Sequence, residues 1–181
     1  AKWLLFDSLG TGLGGYQTAL GQKTVKFVSE NQSGAQATVL GDGSRVSSED
    51  AAFANATLIK ILGMDDSHRT ASHIAAQVLP AVLATSEVYK TSGKNMIVAM
   101  VAAYDLAIRL GKVVREAQRA RGLDIKGTVG PMAAALAAGL CAKLDTKTLS
   151  HAIALAADMA SGTEQYVYES GDCDTKDLIA G

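Results

Sequence analysis

Apolar and polar positions change rhythm along the chain. The opening segment WLLFDSLGTGLGGY (residues 3–16) is apolar and dense in glycine, and QKTVKFVSEN (22–31) follows as a short helix or strand. ATVLGDGSRVS (37–47) then alternates about Asp42 and Gly43. That alternation predicts a hairpin-like excursion near residues 36–47, with a tight turn at two residues that tolerate positive φ. From Ser48 the spacing becomes helical. Ser48 is the expected N-cap of SEDAAFANATLIKIL, with Glu49 and Asp50 complementing the dipole of the first turn. IAAQVLPAVLATSEVYKTS (74–92) is apolar on most faces, with Pro80 expected to kink it. KNMIVAMVAAYDLAIRLGKVVREAQRAR (94–121) is apolar nearly all round in its first half and basic in its second, which predicts a helix buried at the centre with one end in solvent. GTVGPMAAALAAGLCAKL (127–144) and TKTLSHAIALAADMASG (146–162) complete about five alanine-rich helices, whose small side chains allow close approach. The expected fold is all-α, a single helical domain over 1–181.

Composition narrows the function. At 181 residues and 48% hydrophobic content the chain can fill one sizeable core. Seventeen basic against 18 acidic residues and 5% aromatics give no wholesale attraction to nucleic acid or anionic membranes. Cys141 and Cys173 form neither a metal spacing nor a disulfide framework, so reduced thiols are expected. No window reaches the roughly 18 apolar residues of a membrane span, and the first residues carry no basic leader, so the reading is a cytoplasmic protein. Trp3 already lies inside a helical pattern and TKDLIAG opens a new element, so both ends are expected to continue into a longer protein.

Four polar stretches carry candidate chemistry. Gly10 to Gly15 satisfies G-x-G-x-x-G, but a dinucleotide fold needs a full helix before its next strand, and only YQTALGQK intervenes. A glycine-rich surface for close packing is the expectation there. GMDDSHRTASH (63–73) reads most plainly as an interhelical loop, with Ser72 or Thr70 capping the next helix and Arg69 neutralising Asp65 and Asp66. Two histidines in so short a loop, with His73 opening an apolar helix, also suit proton exchange with a bound acid. In RGLDIKGTVGPM, Asp124 and Lys126 precede Gly127-Thr128-Val129-Gly130-Pro131, which reads either as a helix start with free N–H groups able to hold a carboxylate or phosphate or, equally, as a well-capped helix start with nothing bound. In YESGDCDTKDLIAG, Lys176 follows an acidic loop.

ATVLGDGSRVSSEDAAFANAT, MDDSHRTASH, VLPAVLATSEVYKTSGK, RGLDIKGTVGPMAAALAAGL and the lysine of TKDLIAG arrive in an order that resembles the MmgE/PrpD family, which includes 2-methylcitrate dehydratase, cis-aconitate decarboxylase and iminodisuccinate epimerase. The likeness is most specific in the AAFANAT, DD and GTVG blocks. It implies most of the helical domain of a longer two-domain homodimeric enzyme, whose smaller lid domain lies beyond this chain. It also implies a cofactor-free and metal-free reaction, a hydro-lyase, decarboxylase or epimerase acting on a small di- or tricarboxylic acid.

Residue by residue, Asp65 and Asp66 match the family's paired aspartates, Ser67 a position usually threonine, His73 the histidine opening the next helix, and Lys176 the lysine near the end of the domain. Lys60 stands where histidine is usual, Gly63 where aspartate is common, Asp124 where related chains carry a catalytic histidine, and Ile179 where another histidine is common. The implied mechanism is proton transfer beside a carboxylate. His73 would be acid or base, Asp66 would orient it or protonate a leaving group, and Asp124 would be a further catalytic position. Lys176, Lys126 and the amides of Gly127 and Thr128 would hold the substrate, with Asp65, Ser67 and Lys60 alongside. The Asp124 carboxylate calls for a cation, Lys60 or Lys126. The competing class is a helical binding or scaffold subunit without catalysis.

Overall fold

A computed structural model describes residues 1–31, 34–164 and residue 178. Among the described residues seven helices and one short hairpin follow one another: α1 Lys2–Gly15, α2 Ala19–Glu30, β1 Ala37–Thr38, β2 Arg45–Val46, α3 Ser48–Lys60, α4 Ala75–Tyr89, α5 Gly93–Arg119, α6 Ile125–Cys141 and α7 Thr146–Met159. The all-α expectation and the small hairpin both hold. The segment 22–31 is helical, part of α2.

Local chemistry sets the helix starts. Thr18, Ser47, Ser92, Asp124 and Asp145 each accept a hydrogen bond from a backbone N–H in the first turn they precede. The cap of α3 is thus Ser47 rather than Ser48, its oxygen 3.1 Å from the Asp50 nitrogen. The hairpin pairs Ala37 with Val46 and Thr38 with Arg45, antiparallel. Its connection is longer than a two-residue turn: Val39 N–H donates to the Ser44 carbonyl at 2.9 Å, and both Gly41 and Gly43 take positive φ. Two buried or half-buried polar side chains fasten it to the helices. Asn55 of the AAFANAT block accepts from Leu40 N–H at 2.7 Å and donates to the Thr38 carbonyl at 2.9 Å. Glu87 accepts from the Thr38 N–H and hydroxyl and from Arg45. Partial burial works against the Glu87 charge, but those donors outweigh it and hold its carboxyl below the ordinary range.

The glycine-rich opening forms part of α1, where Gly12, Gly14 and Gly15 serve packing and Gly10 is open. A Cβ on Gly15 would stand 2.0 Å from the Leu58 carbonyl oxygen, so α1 lies directly on α3. One core cluster runs through α3, α4, α5 and α6; a second joins α2, the hairpin and α3. The central helix is α4, with Ala75 to Pro80 all buried and the helix continuing through Pro80. The sequence pattern pointed instead to α5. That helix lies at the surface, burying Ala99, Met100, Ala103, Ala107 and Gly111 while Val98 and Val101 are more than half exposed. Apolar character all round did not require burial all round. Among the described residues no helix is long and apolar enough to cross a membrane.

Helix α4 and helix α6 lie side by side and run in the same direction. A Cβ on Gly130 would meet the Gln77 side chain at 2.5 Å near their starts, and Ser86 approaches the Cys141 sulfur at 3.5 Å near their ends. Both N-termini therefore open at one end of the molecule. Helix α5 returns antiparallel, bringing its C-terminal half to that same end, where Gln118 accepts from Thr128 Oγ1 at 2.8 Å.

Candidate active site

The polar loop between α3 and α4 sits at that end. Gly63, with φ +62, turns the chain out of α3, and its N–H donates to the Lys60 carbonyl. His68 and Ser72 exchange two backbone hydrogen bonds of 2.8 Å, closing a miniature bridge with Ser72 in the left-handed region. The loop packs along α5: a Cβ on Gly111 would stand 2.4 Å from the Thr70 carbonyl, and Arg115 donates to the Arg69 carbonyl.

Within this frame the two aspartates have different work. Asp65 is buried, its side chain fully so, and one oxygen, Oδ1, lies 3.3 Å from Lys60 Nζ and 3.1 Å from His73 Nδ1. Lys60, despite its charge, is among the most buried side chains at 1% exposure. The His73 approach is close without N–H alignment, so Nδ1 counts as buried without a hydrogen bond, as does Asp65 Oδ2. His73 remains one-quarter exposed at the side chain, so the ring is both reachable and held from behind.

Asp66 instead builds the start of α4. Neither Ser72 nor Thr70 caps that helix; residue Ile74 stands at the cap position and offers no side-chain bond. Asp66 Oδ1 accepts from the Ala75 N–H at 2.8 Å, and Oδ2 accepts from the Tyr104 hydroxyl at 2.9 Å. Burial pushes the Asp66 carboxyl up, the two donors pull it down, neighbouring Asp65 adds to the rise, and His73 opposes it; the net direction is upward. Burial and the Asp66 charge push Tyr104 well above the ordinary phenol range, so it stays a donor. The carboxylate touching His73 is Asp65, which corrects the orienting role expected of Asp66.

Removing this remote cap has a defined cost. Asp66→Ala should lose about 1–3 kcal/mol, from a missing helix cap and a half-buried Tyr104 hydroxyl left unpaired. Asp66→Asn, which can still accept from Ala75, should lose less than half as much, and adding Tyr104→Phe to Asp66→Ala should recover part of the deficit. Urea unfolding of the four proteins checks this; equal losses for Ala and Asn would contradict it. Because the folded form favours the protonated carboxyl, this group's contribution is complete below the unfolded carboxylate range, ~4, and is lost as pH rises through its raised folded value. The Asn variant should lack that slope.

The second expected grouping lies at the start of α6 and takes the form of a capped helix start. The helix begins at Ile125, earlier than the glycines, with Asp124 as N-cap; its Oδ1 accepts from Lys126 N–H at 2.7 Å. Gly127, Thr128, Gly130 and Pro131 therefore lie within the first two turns, with the Thr128 N–H donating to the Asp124 carbonyl at 3.2 Å, so the run is a capped helix start and not an open loop cradle. Residues 161–164 cross over this turn: Ser161 N–H donates to the Gly127 carbonyl, and Asp124 N–H to the Gly162 carbonyl. A Cβ on Gly127 would stand 2.0 Å from the Ser161 oxygen. Thr128 is buried, its hydroxyl within hydrogen-bond distance of Gln118 and of the Asp124 carbonyl. Gly127→Ala should therefore displace the 161–164 crossing and cost about 1–3 kcal/mol, whereas alanine at open Gly10 should be near neutral or stabilising. Thermal unfolding distinguishes them, and a Gly127→Ala loss no larger than that at Gly10 would refute the close contact.

Charge compensation is likewise redistributed. Lys126 Nζ pairs with Asp124 Oδ2 at 3.2 Å, whereas Lys60 pairs with Asp65 and not with Asp124. Arg69 is exposed and makes no ion pair with either loop aspartate. Ser67 is exposed on the loop. Lys176, Cys173 and Ile179 lie outside the described residues. Cys141 is buried, and that burial pushes its thiol up. Among the described residues no group of three or more His, Cys, Asp or Glu side chains is gathered as for a metal ion.

Tyr104 is the member that sequence reading missed. Its signal was present: an aromatic hydroxyl in line with Met100, Ala107 and Gly111 on one face of α5, where a half-buried O–H needs an acceptor. The acceptor, 38 residues away, was not readable from spacing.

Comparison with known proteins bears on this arrangement. The chain is 28% identical over 169 residues to cis-aconitate decarboxylase of Aspergillus terreus, covering 90% of this chain and 34% of that protein. It is 29% identical over 178 residues to the mouse cis-aconitate decarboxylase, 91% of this chain and 36% of that one. The human cis-aconitate decarboxylase is 27% identical over 178 residues, with 91% and 37% covered. The chain thus spans about a third of the length of these relatives. The family model for the MmgE/PrpD N-terminal domain matches residues 1–181, the whole chain, which therefore belongs to the MmgE/PrpD family.

Proposed function

We propose that this chain is the helical part of a larger two-domain lyase that acts on a small di- or tricarboxylic acid by proton transfer beside a carboxylate, without an organic cofactor or metal. The observation that carries the reading is the convergence at one end of the molecule: a partly exposed His73 backed by Asp65, at the start of α4, beside the start of the parallel helix α6. Decarboxylation is the reaction for which the relatives are named, and it is the preferred form. In that form the carbon–carbon bond to the departing carboxylate breaks, carbon dioxide leaves, and the electron pair remaining on carbon takes a proton from the His73 imidazolium. In the hydro-lyase form, neutral His73 removes the proton and the hydroxyl leaves as water with a proton from a second acid. Lys176 is the proposed cation for a substrate carboxylate, with Ser67 at the rim. The homodimer implied by the family resemblance has apolar surface to use, with Trp3 and Phe6 of α1 exposed.

A second reading draws on the ion pairs themselves. Lys60 and Lys126 are buried against Asp65 and Asp124, so these two cations serve the fold. That favours a scaffold or binding subunit without turnover. The polypeptide carrying this domain, incubated with cis-aconitate, citrate and 2-methylcitrate and followed by carbon NMR, separates the two. Carbon dioxide release or alkene formation supports the lyase. Thermal stabilisation by these acids with no product after prolonged incubation supports the binding subunit.

A further inference from the structure

We propose that Lys60 is a positioning residue: acting through Asp65, it sets the tautomer and the proton affinity of His73. The inference rests on the reading of His73 as the proton-transfer group. Its physical basis is the shared oxygen. Asp65 Oδ1 faces Lys60 Nζ at 3.3 Å and His73 Nδ1 at 3.1 Å, and the side chains of Lys60 and Asp65 are 1% and 0% exposed. Water can therefore do little to screen the ammonium from the carboxylate, and the interaction is strong.

A lysine at the last turn of α3 has a plain structural use, since a cation there complements the helix dipole. The third partner on the same oxygen adds a consequence. A bare buried carboxylate against an imidazole would hold the imidazolium tightly, and a histidine that cannot release its proton is a poor catalyst. The Lys60 ammonium draws on the same negative charge, which lessens the hold of Asp65 on the imidazolium. Nδ1 faces the carboxylate at 3.1 Å, where a lone pair would be repelled and a hydrogen attracted, so hydrogen on Nδ1 is the expected tautomer and Nε2 the nitrogen that gives and takes the proton.

Other charged groups lie on the loop and on the elements packed around it. The loop supplies Asp66, which also acts electrostatically on His73, together with His68 and exposed Arg69. Helix α5 supplies Tyr104, bonded to Asp66, and Arg115, bonded to the loop backbone. Helix α6, packed on α4, carries the Asp124 and Lys126 pair, and α1 carries only exposed Lys2 and Asp7. Among the described residues, Lys60 is the cation touching the carboxylate that touches His73.

The test reads the ring directly. Histidine in the chain is labelled with nitrogen-15, and its three residues are assigned by single substitutions. Long-range proton–nitrogen spectra are then followed against pH in the wild type and in Lys60→Met, which keeps length and apolar packing but removes the charge. The wild type is expected to show His73 with hydrogen on Nδ1. The His73 midpoint should rise by about one pH unit or more in Lys60→Met, the size expected when a carboxylate loses its other close counter-charge. Exposed His151 should not move. Hydrogen on Nε2 in the wild type would overturn the proposal whether or not the variant folds, and so would an unchanged His73 midpoint in a folded Lys60→Met. A tuned His73 in a protein that turns over none of the acids would leave this inference standing and end the lyase reading; turnover with an untuned His73 would do the reverse.

Discussion

Asp65→Ala is expected to cost about 3–5 kcal/mol of folding stability, a large share of what a domain of this size possesses. The reason is the lysine left behind. Lys60 is 1% exposed and its ammonium meets Asp65 Oδ1 at 3.3 Å, so truncating the aspartate strands a cation in the interior. The stranded group must stay charged without water or give up its proton. The deficit should accordingly narrow as pH is raised toward the ordinary lysine range, ~10, because the unfolded chain then loses its own preference for the proton. A second substitution sharpens the test. Lys60→Met combined with Asp65→Ala removes both charges and should recover most of the loss, as apolar replacement of buried pairs commonly does. Urea unfolding in water-matched buffers at neutral and alkaline pH gives all three quantities. If the double variant is as unstable as Asp65→Ala alone, the pair is not the source of the effect.

The second large effect concerns turnover. His73→Gln should lower kcat by about 10²–10⁴-fold on whichever tri- or dicarboxylic acid the full polypeptide converts, the range for loss of a positioned acid or base. KM should change much less, since the ring is argued to move a proton and not to anchor the acid. Stability should stay within about 1 kcal/mol of wild type, because the His73 side chain is one-quarter exposed and its Nδ1 makes no aligned hydrogen bond whose loss would be felt. Steady-state kinetics together with thermal unfolding decide the matter. Full activity in a folded His73→Gln protein would move the chemistry elsewhere and leave the Asp65 contact as packing alone.

The pairing of the charges shows where sequence reading stops. Asp65 and Asp66 are adjacent and chemically identical, yet one meets a buried lysine and a histidine while the other caps a helix nine residues on and receives a phenol from α5. Extended or turning backbone sends neighbouring side chains in different directions, and a one-residue register decides which carboxylate acquires which partner. Lys60 and Lys126 were both candidates for balancing Asp124, with Lys60 favoured because it and Asp124 both replace usual histidines; Lys126 does so, and Lys60 does not. Spacing placed glycines and proline near the start of α6 but could not say that the helix begins at Ile125, two residues before Gly127. Gly127 answers a segment more than thirty residues later, since the 161–164 crossing leaves no room for a Cβ there, and Gly130 answers the Gln77 side chain of α4.

Periodicity, turn residues and composition determined the helical class, the five-helix run after the hairpin and the two polar stretches at helix starts, because these depend on contacts within a few residues. Which helix is central, which N–H groups are already taken and which ions share an oxygen depend on how helices pack. Apolar α5 lies outside and α4 inside because packing buries only the face that finds a partner. The parallel course of α4 and α6 gathers His73 and Lys126 at one end of the molecule, and only tertiary structure decides a direction of that kind.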